Sequence, residues 1–326
     1  MKPPATGPQL ESNRRAAQFA ADVQYYLMQQ PRQLPSRYLY DALGSALFEA
    51  ICRLPWYPIT RAEGRLLAAH SHEVFRRLAP LSTIVELGSG SGEKLRTLLD
   101  AADFNARLKV HLVDLSPRAL ELSTRTLAHW GHIQVTTHEA TYERGLERAA
   151  ATFASGERVV VLCLGSNIGN FDPPASHAFL HGIRRMLRRD DALLLGADLV
   201  KPEAQMRLAY DDPLGVTAAF NRNLLVRVNR ELGGNFAVDR FAHRAVWNAD
   251  ASRMEMHLEA LGDQQIRIRG CGIEFTMTAG EAIWTESSYK YRPDAVRHLL
   301  DATGFRVMAQ WQDERDPFAL TLAEAV

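Results

Sequence analysis

The chain has 326 residues, 46% of them hydrophobic and 23% charged, which is enough for one large α/β domain with a smaller one, or for two domains. Lys and Arg together number 38, as do Asp and Glu, and this balance argues against nucleic acid or an anionic membrane as the partner and favours a small molecule. No stretch approaches the roughly 18 apolar residues of a membrane span, and the first residues carry no apolar signal segment, so we expect a cytoplasmic protein.

The part of the chain before residue 62 is predicted to be helical. Apolar residues recur at helical spacing over 14–29 and 40–54, and a further helix is predicted over 61–78. The pattern alone favours a place in the hydrophobic core for four aromatic residues of this part: Tyr38, Tyr40, Phe48 and Tyr57.

A glycine-rich loop follows the first strand-like run. That run ends at Glu86 and opens into glycines at three alternate positions: Gly88, Gly90 and Gly92. Glycine lets the backbone turn tightly and approach a ligand, and the helix predicted from about Lys94 directs free N–H groups at that ligand. A dinucleotide fingerprint needs its third glycine one position later, where Glu93 stands. The loop instead resembles the first motif of the class I methyltransferases, whose cofactor is S-adenosylmethionine.

From residue 82 the pattern is that of a parallel α/β fold. Strand-like runs separated by helical segments lie at 82–87, 108–113, 132–137, 158–164 and 192–197. These alternations predict a doubly wound sheet, which two closing strands at 305–312 and 318–322 would complete as an antiparallel hairpin. The second run ends at Asp114, an acid expected to accept hydrogen bonds from ribose hydroxyls one βαβ crossover after the glycine loop.

The fourth strand-like run leads into a second candidate loop, which contains Gly165 and Asn170. In a doubly wound sheet, the carboxyl ends of the first and fourth strands flank the crevice where ligands bind. The Asn170 carboxamide can offer an oxygen to an amine and an N–H to a carboxylate, which suits an amino acid headgroup. A glycine-rich turn with a helix-capping asparagine is equally compatible with these residues.

After residue 198 the alternation stops, and an inserted domain with an antiparallel sheet is predicted. Its helices are expected at 201–208 and 214–232, and its strands at 238–247, 253–260, 264–269 and 272–277. The predicted domain bounds are 1–61 for a helical part of the substrate domain, 62–198 for a cofactor-binding Rossmann-like domain, 199–290 for an inserted α+β substrate domain and 291–326 for completion of the Rossmann-like domain.

Separated motifs in a fixed order resemble the histidine-specific Nα-methyltransferases, which make trimethylhistidine (hercynine) on the route to ergothioneine. The matching segments are 38–41, 44–48, 57–61, 86–94, 164–170, 210–212, 220–223 and 285–290. The resemblance implies a class I, Rossmann-like methyltransferase sheet with a closing antiparallel hairpin and an inserted α+β domain. It also implies S-adenosylmethionine as the cofactor, L-histidine as the substrate and no metal.

The resemblance assigns site residues one by one. Cofactor contacts are implied for Gly88, Lys94 and Asp114, to which the loop glycines Gly90, Gly92 and Gly165 are added. The family's adenine contact, an aspartate followed by an aromatic residue, is replaced here by Ala140-Thr141-Tyr142, so adenine is expected to meet Thr141, Tyr142, Glu139 or backbone. Substrate contacts are implied for Tyr57, Asn170, Tyr210, Glu286 and Ser288, with Tyr40, Phe48 and Met256 lining the pocket.

The implied roles follow from ordinary side-chain chemistry. Tyr210 and Asn170 would hold the amino acid headgroup, while the carboxylate of Glu286 and the hydroxyl of Ser288 would bind the two imidazole nitrogens. Tyr40 and Tyr57 are candidate acceptors of the amine proton, and Asn170 would act beside them at the reacting nitrogen. We expect a monomer.

Several alternatives stay open on sequence alone. An Nα-methyltransferase for another amino acid such as tryptophan, a nucleic-acid amino-methyltransferase and a non-catalytic S-adenosylmethionine-binding module are all compatible with the glycine loop. His177 and His181 share a helix face but lack the glutamate and third ligand of a zinc site. The widely spaced Cys52, Cys163 and Cys271 suit reduced thiols rather than a disulfide framework.

Overall fold

The computed structural model describes residues 7–101 and 107–326. The helices are α1 (Gly7–Leu27), α2 (Ala42–Ile51), α3 (Ile59–Leu78), α4 (Glu93–Ala101), α5 (Pro117–Leu127), α6 (Tyr142–Ala150), α7 (Pro173–Met186), α8 (Glu203–Tyr210), α9 (Val216–Leu232) and α10 (Pro293–Ala302). The strands are β1 (Arg32–Gln33), β2 (Thr83–Leu87), β3 (Leu108–Asp114), β4 (Ile133–Glu139), β5 (Val159–Cys163), β6 (Ala192–Asp198), β7 (Phe241–Asn248), β8 (Arg253–Ala260), β9 (Gln264–Ile268), β10 (Ile273–Met277), β11 (Ala282–Tyr289), β12 (Phe305–Gln312) and β13 (Phe318–Ala325).

These elements form two compact units. Of the described residues, the larger unit contains 52–101, 107–206, 249–253 and 288–326, and the smaller contains 7–51, 207–248 and 254–287. The domain bounds drawn from the sequence stay a prediction.

The larger unit is built on a seven-stranded sheet with the order β12-β13-β6-β5-β2-β3-β4. Strands β4, β3, β2, β5 and β6 are mutually parallel, and β13 runs antiparallel to both β6 and β12. The predicted doubly wound sheet with a closing antiparallel hairpin is therefore confirmed. The chain leaves β2 for β3 on one side and returns to β5 on the other, so the order reverses at β2 and β5, where such sheets bind ligands.

Burial explains why the central strands read as apolar runs in the sequence. Every residue of β2, β5 and β6 is buried, because helices cover both faces of a parallel sheet. On one face α6, α7 and α10 contribute Leu146, Leu180 and Leu300 to the core. The edge strand β4 is more exposed, as only one neighbour protects it.

The smaller unit contains two sheets instead of the single antiparallel sheet that the sequence predicts. One has the order β1-β11-β8-β7, and the other is the antiparallel pair β9 and β10. Strand β1 is a two-residue edge that pairs parallel with β11 through Arg32 and Gln33. The expectation of one antiparallel sheet was wrong because it overlooked β11, in which four consecutive polar residues, 285–288, hide the alternation typical of a strand.

Element ends differ modestly from the sequence prediction. The first helix begins at Gly7 rather than near residue 14, because its polar first turns carry no apolar stripe. The second is shorter than predicted: a 3₁₀ turn at Ser36–Leu39 precedes it, and α2 begins at Ala42. Asp41 accepts a hydrogen bond from the Gly44 N–H at 2.8 Å, which satisfies a backbone donor of the first turn.

Candidate functional site

The glycine loop follows β2 in the larger unit, and its three glycines have different structural roles. Gly88, Gly90 and Gly92 all have positive φ angles, of 79°, 50° and 76°. A Cβ on Gly92 would lie 2.9 Å from the Ser123 Cα, so this glycine lets the loop pack on α5. A Cβ on Gly90 would meet no heavy atom of the described residues within 4 Å, which leaves this backbone open to a ligand.

The Asp114 carboxylate accepts hydrogen bonds from the glycine loop and from the start of α5. Its Oδ2 accepts from the Gly90 N–H at 3.1 Å and its Oδ1 from the Ser116 N–H at 2.9 Å. Each carboxylate oxygen has two acceptor sites, so these bonds leave capacity for hydroxyl donors. Burial raises the pKa of this carboxyl, although the backbone N–H groups oppose that shift.

Lys94 forms a charge pair that the sequence analysis missed. Its Nζ lies 2.8 Å from Oε2 of Glu63, whose side chain is 0% exposed. Both Glu63 oxygens also accept from the Gly165 N–H, at 2.7 and 2.9 Å, so one carboxylate links α3, α4 and the loop after β5. Burial lowers the pKa of Lys94, but the Glu63 carboxylate outweighs burial, and the pKa is raised.

Two glycines make room for this pair. A Cβ on Gly165 would lie 2.5 Å from the Lys94 Nζ, and one on Gly196 would lie 2.1 Å from Glu63 Oε1. Gly165 also has a φ of 77°, a conformation that favours glycine. Gly165 is therefore required by the charge pair whether or not it also touches a ligand.

Glu86, at the end of β2, is a buried acid with an unused oxygen. Its Oε2 has no hydrogen-bond partner among the described residues, and the residue is 2% exposed. Burial, together with the nearby charges of Glu63 and Asp114, raises the pKa of Glu86 to about 8, against the opposing effect of Lys94. A group that the sequence analysis used only to recognise the loop is thus a buried carboxyl beside it, with one oxygen that has no hydrogen-bond partner among the described residues.

The raised pKa of Glu86 makes the free energy of unfolding depend on pH. Between its ordinary pKa of 4.5 and about 8, folded Glu86 holds a proton that the unfolded chain has lost, so the free energy of unfolding falls as pH rises through that window. Glu86→Gln removes this titration. We expect its melting temperature to fall less than that of the parent chain between pH 5.5 and 8, with the exposed Glu143→Gln as control. If the melting temperature of the Glu86→Gln variant fell as much as that of the parent chain, the raised pKa of Glu86 would be contradicted.

Of the residues expected near adenine, Tyr142 lies beside the glycine loop. A Cβ on Gly88 would lie 3.0 Å from the Tyr142 hydroxyl and 2.7 Å from Asn167 Nδ2, which brings Tyr142 and the loop after β5 close to Gly88. The exposed Thr141 hydroxyl caps α6 by accepting from the Arg144 N–H at 3.5 Å. Glu139 is the register partner of Asp114 on the neighbouring strand.

Asn170 ends a 3₁₀ turn, Asn167–Asn170, that packs on the last residue of β11 and the segment after it. A Cβ on Gly169 would lie 2.8 Å from the Tyr289 carbonyl, and the Tyr291 hydroxyl donates to the Ile168 carbonyl at 3.2 Å. Asn170 itself is exposed. The structure thus brings the turn of Asn170 against the chain segment that directly follows Ser288.

Tyr57 lies in the turn that precedes α3, also in the larger unit, and is buried. Arg61 fixes this turn, because its Nη1 donates to the Leu54 carbonyl at 2.7 Å and its Nη2 to the Pro55 carbonyl at 2.6 Å. Arg61 therefore has a structural role within the motif that contains Tyr57.

In the smaller unit, Tyr40 and Phe48 belong to one aromatic cluster. Their ring centroids are 5.5 Å apart, and Phe220 of α9 lies 5.5 Å from Tyr40 and 5.9 Å from Phe48. Asp41 helps to hold α2 and α9 together, since its Oδ1 accepts from Asn223 Nδ2 at 2.7 Å.

Tyr210 ends α8 and is held through its backbone. The Tyr210 carbonyl accepts from His243 Nε2 at 2.7 Å, while Asn221 Nδ2 donates to His243 Nδ1 at 2.9 Å. These two contacts require a neutral imidazole, and burial lowers the pKa of His243 accordingly. Asp212 accepts three backbone N–H bonds at the start of α9, so this neighbour of Tyr210 serves as a cap.

Glu286 and Ser288 both lie on β11, two residues apart, so their side chains share a face of the strand. The Glu286 carbonyl accepts from Trp284 Nε1 at 2.8 Å. Met256 is buried on the neighbouring strand β8, where its carbonyl accepts from Thr285 Oγ1 at 2.9 Å.

The described residues contain neither a cluster suited to a metal ion nor a membrane-spanning helix. No group of three or more His, Cys, Asp or Glu side chains there could hold a metal ion. Among the helices in the same residues, none is long and apolar enough to cross a membrane.

Comparison with known proteins identifies the family. A profile described as histidine-specific methyltransferase, SAM-dependent, matches residues 19–325. A histidine N-alpha-methyltransferase of Mycobacterium tuberculosis is 41% identical over 305 residues, 93% of each chain, and that of Mycolicibacterium smegmatis is 40% identical over 316 residues, 96% of this chain and 97% of the relative. Ergothioneine biosynthesis protein 1 of Neurospora crassa is 28% identical over 291 residues, 86% of this chain but 32% of the relative. The chain therefore belongs to the histidine-specific methyltransferase family, whose members depend on S-adenosylmethionine.

Proposed function

We propose that this chain methylates the α-amino group of L-histidine three times, giving Nα,Nα,Nα-trimethylhistidine (hercynine), as the first step of ergothioneine biosynthesis. The observation that carries the proposal is similarity over more than nine tenths of the chain to two histidine N-alpha-methyltransferases. Relatives named for ergothioneine biosynthesis support the metabolic assignment.

The larger unit has features that fit S-adenosylmethionine, which supplies a methyl group on a positively charged sulfur. The space beside the Cα of Gly90 is open to a ligand, and Glu86 has a buried carboxyl oxygen without a hydrogen-bond partner among the described residues. Asp114 has acceptor capacity left for ribose hydroxyls. The full proposed set of cofactor contacts is Gly88, Gly90, Gly92, Lys94, Asp114, Thr141, Tyr142 and Gly165.

The proposed histidine contacts divide by the part of the substrate they bind. Asn170 and Tyr210 hold the carboxylate and amine, and Glu286 and Ser288 hold the imidazole. The further residues proposed to contact histidine are Tyr40, Phe48, Tyr57 and Met256. Transfer to nitrogen requires an aligned, unprotonated amine, so Tyr40 and Tyr57 are the proposed acceptors of its proton, directly or through water.

Repeated methylation is supported by the neutrality of the proposed headgroup contacts. The Asn170 carboxamide and the Tyr210 phenol carry no charge at neutral pH. A carboxylate beside the amine would hold it as the unreactive ammonium, so a neutral site leaves the nitrogen able to react again.

The proposal is tested by incubating the purified chain with S-adenosylmethionine and each of the twenty amino acids separately, with mass spectrometry of the products. We expect methylation of histidine far above that of any other amino acid. Preferred methylation of tryptophan would assign a different substrate. Binding of the cofactor without turnover of any amino acid would leave only a binding module.

Asp114→Ala is expected to weaken cofactor binding about 10- to 30-fold, because charge-assisted hydrogen bonds of about 1.5–2 kcal/mol are lost. Calorimetry with S-adenosylhomocysteine measures this change. Asp100→Ala, which removes an exposed acid from α4, is the matched control. Equal affinity of the Asp114→Ala variant and the parent chain would remove Asp114 from the cofactor site.

We further propose that the protein is a cytoplasmic monomer. In the described residues the three cysteines are free thiols. Free thiols are typical of proteins in a reducing compartment such as the cytoplasm. Sedimentation equilibrium should give the mass of one 36.5 kDa chain, and a dimer mass would contradict this part of the proposal.

A further inference from the structure

A buried carboxylate, Glu63, joins three segments at the ligand-binding edge of the parallel sheet in the larger unit. Its side chain is 0% exposed, and its Oε2 lies 2.8 Å from the Nζ of Lys94. The Gly165 N–H donates to the same carboxylate, at 2.7 Å to Oε1 and 2.9 Å to Oε2. One side chain of α3 therefore fixes both a side chain of α4 and the start of the loop after β5.

Glycines beside this carboxylate define where it and its partner lie. A Cβ on Gly196 of β6 would lie 2.1 Å from Glu63 Oε1, and a Cβ on Gly165 would lie 2.5 Å from Lys94 Nζ. A buried carboxylate needs a cation or N–H donors on its oxygens to offset the loss of water. The contacts with Lys94 and Gly165 meet that need, and they hold the ammonium against the loop after β5.

The Lys94 ammonium lies where the two loops of the proposed cofactor site approach each other. A Cβ on Gly88 would lie 2.7 Å from Asn167 Nδ2, so the loop after β5 reaches the glycine loop after β2. The Lys94 side chain is 31% exposed, whereas that of Glu63 is fully buried, so Lys94 is the member of the pair that a ligand can reach. An ammonium has three donors, and the contact with Glu63 uses one of them.

The charges of S-adenosylmethionine decide which of its groups Lys94 can bind. Its sulfonium and its amine are cations, which an ammonium repels, and its carboxylate is an anion, which an ammonium attracts. The proposed ribose and adenine contacts, Asp114 and Thr141, follow β3 and β4, on the opposite side of β2 from β5. Lys94 therefore suits the carboxylate end of the cofactor.

We propose that Glu63 is a positioning residue for the cofactor: it holds the Lys94 ammonium against Gly165, where Lys94 binds the carboxylate of S-adenosylmethionine. This inference rests on the cofactor contact proposed for Lys94. Glu63 is fully buried, so it acts through Lys94 and the Gly165 N–H and does not touch the cofactor itself.

Glu63→Gln removes the charge that holds Lys94. We expect the Kd of S-adenosylhomocysteine to rise about tenfold, because the ammonium is no longer fixed at the ligand carboxylate. Decarboxylated S-adenosylhomocysteine lacks that group, so its Kd should change less than about twofold. Calorimetry with each ligand measures the two values.

The two ligands separate positioning from structural damage and from long-range charge. Damage to the site would raise both Kd values by the same factor, which would overturn the inference. Loss of a negative charge would by itself favour an anionic ligand, so a lower Kd of S-adenosylhomocysteine in Glu63→Gln would overturn it too. Glu73→Gln, which removes a partly exposed carboxylate paired with Arg77 on the same helix, is the matched control and should change neither Kd.

A double-mutant cycle with Lys94→Met tests the path of the effect. Lys94→Met should itself abolish the tighter binding of S-adenosylhomocysteine relative to its decarboxylated analogue. If Glu63 acts through Lys94, then adding Glu63→Gln to that variant should change the ratio of the two Kd values by no more than about twofold. Independent effects of the two substitutions on this ratio would contradict the inference.

These outcomes are distinguishable from failure of the proposed function. A preference for the carboxylate that the parent chain shows and Glu63→Gln loses supports the inference even if histidine is not methylated. A parent chain that methylates histidine but binds both ligands equally overturns the inference alone. If Glu63→Gln does not fold, Glu63→Asp decides, because its shorter side chain withdraws the carboxylate from both partners: loss of the preference supports the inference, and an unchanged preference contradicts it.

Discussion

Glu286→Ala is expected to lower kcat/KM for histidine by about ten- to several-hundred-fold, because it removes a charge-assisted hydrogen bond of about 1.5–3 kcal/mol and leaves a ring N–H without an acceptor. Affinity for S-adenosylmethionine should barely change. The strand should persist, since the bond from Trp284 goes to the Glu286 carbonyl and not to its side chain. Steady-state kinetics with histidine measure the loss.

The same variant tests specificity. Truncation at Glu286 opens space near the proposed pocket residue Met256, so tryptophan should lose less activity than histidine or gain some. Glu274→Ala, which removes an exposed carboxylate from β10, is the matched control and should leave the turnover of both substrates unaffected. Unchanged turnover of histidine by the Glu286→Ala variant would exclude Glu286 from imidazole recognition.

Lys94→Met is expected to lower the free energy of unfolding by about 3 kcal/mol, because it leaves the buried Glu63 carboxylate without its counter-ion. Chemical denaturation measures the loss. Lys109→Met is the matched control: Lys109 pairs with Glu157 at the surface, where such pairs contribute about 1 kcal/mol or less.

The double substitution Lys94→Met with Glu63→Gln tests the cause of that loss. A neutral glutamine can still accept from the Gly165 N–H, so the double variant should recover part of the stability. If the double variant lost the sum of the two single effects, then the uncompensated charge would not be the reason for the instability.

The parallel sheet could be predicted from the sequence because its central strands are buried on both faces. Strands such as β5 are therefore continuous apolar runs, and glycines at alternate positions mark the loop after β2. The link from Asp114 to this loop was also predictable, since neighbouring parallel strands end at the same edge of the sheet.

Other parts of the structure left no local signal. In the sequence, Glu63 is one of several charged residues on a predicted amphipathic helix. Its partners Lys94 and Gly165 are distant in sequence, so no local pattern indicates the contacts. Strand β11 was overlooked because its burial alternates irregularly among polar residues. The resemblance to a family found Glu286 and Ser288 there, but only the structure connects Ser288 to Lys290.

The central claim is tested most directly by the position of the methyl groups on the product made from histidine. Nuclear magnetic resonance of the purified product should show three equivalent methyl groups on the α-nitrogen and an unsubstituted imidazole ring. A methyl group on a ring nitrogen, a product that stops at one methyl group, or the absence of any methylated histidine would contradict the proposed function.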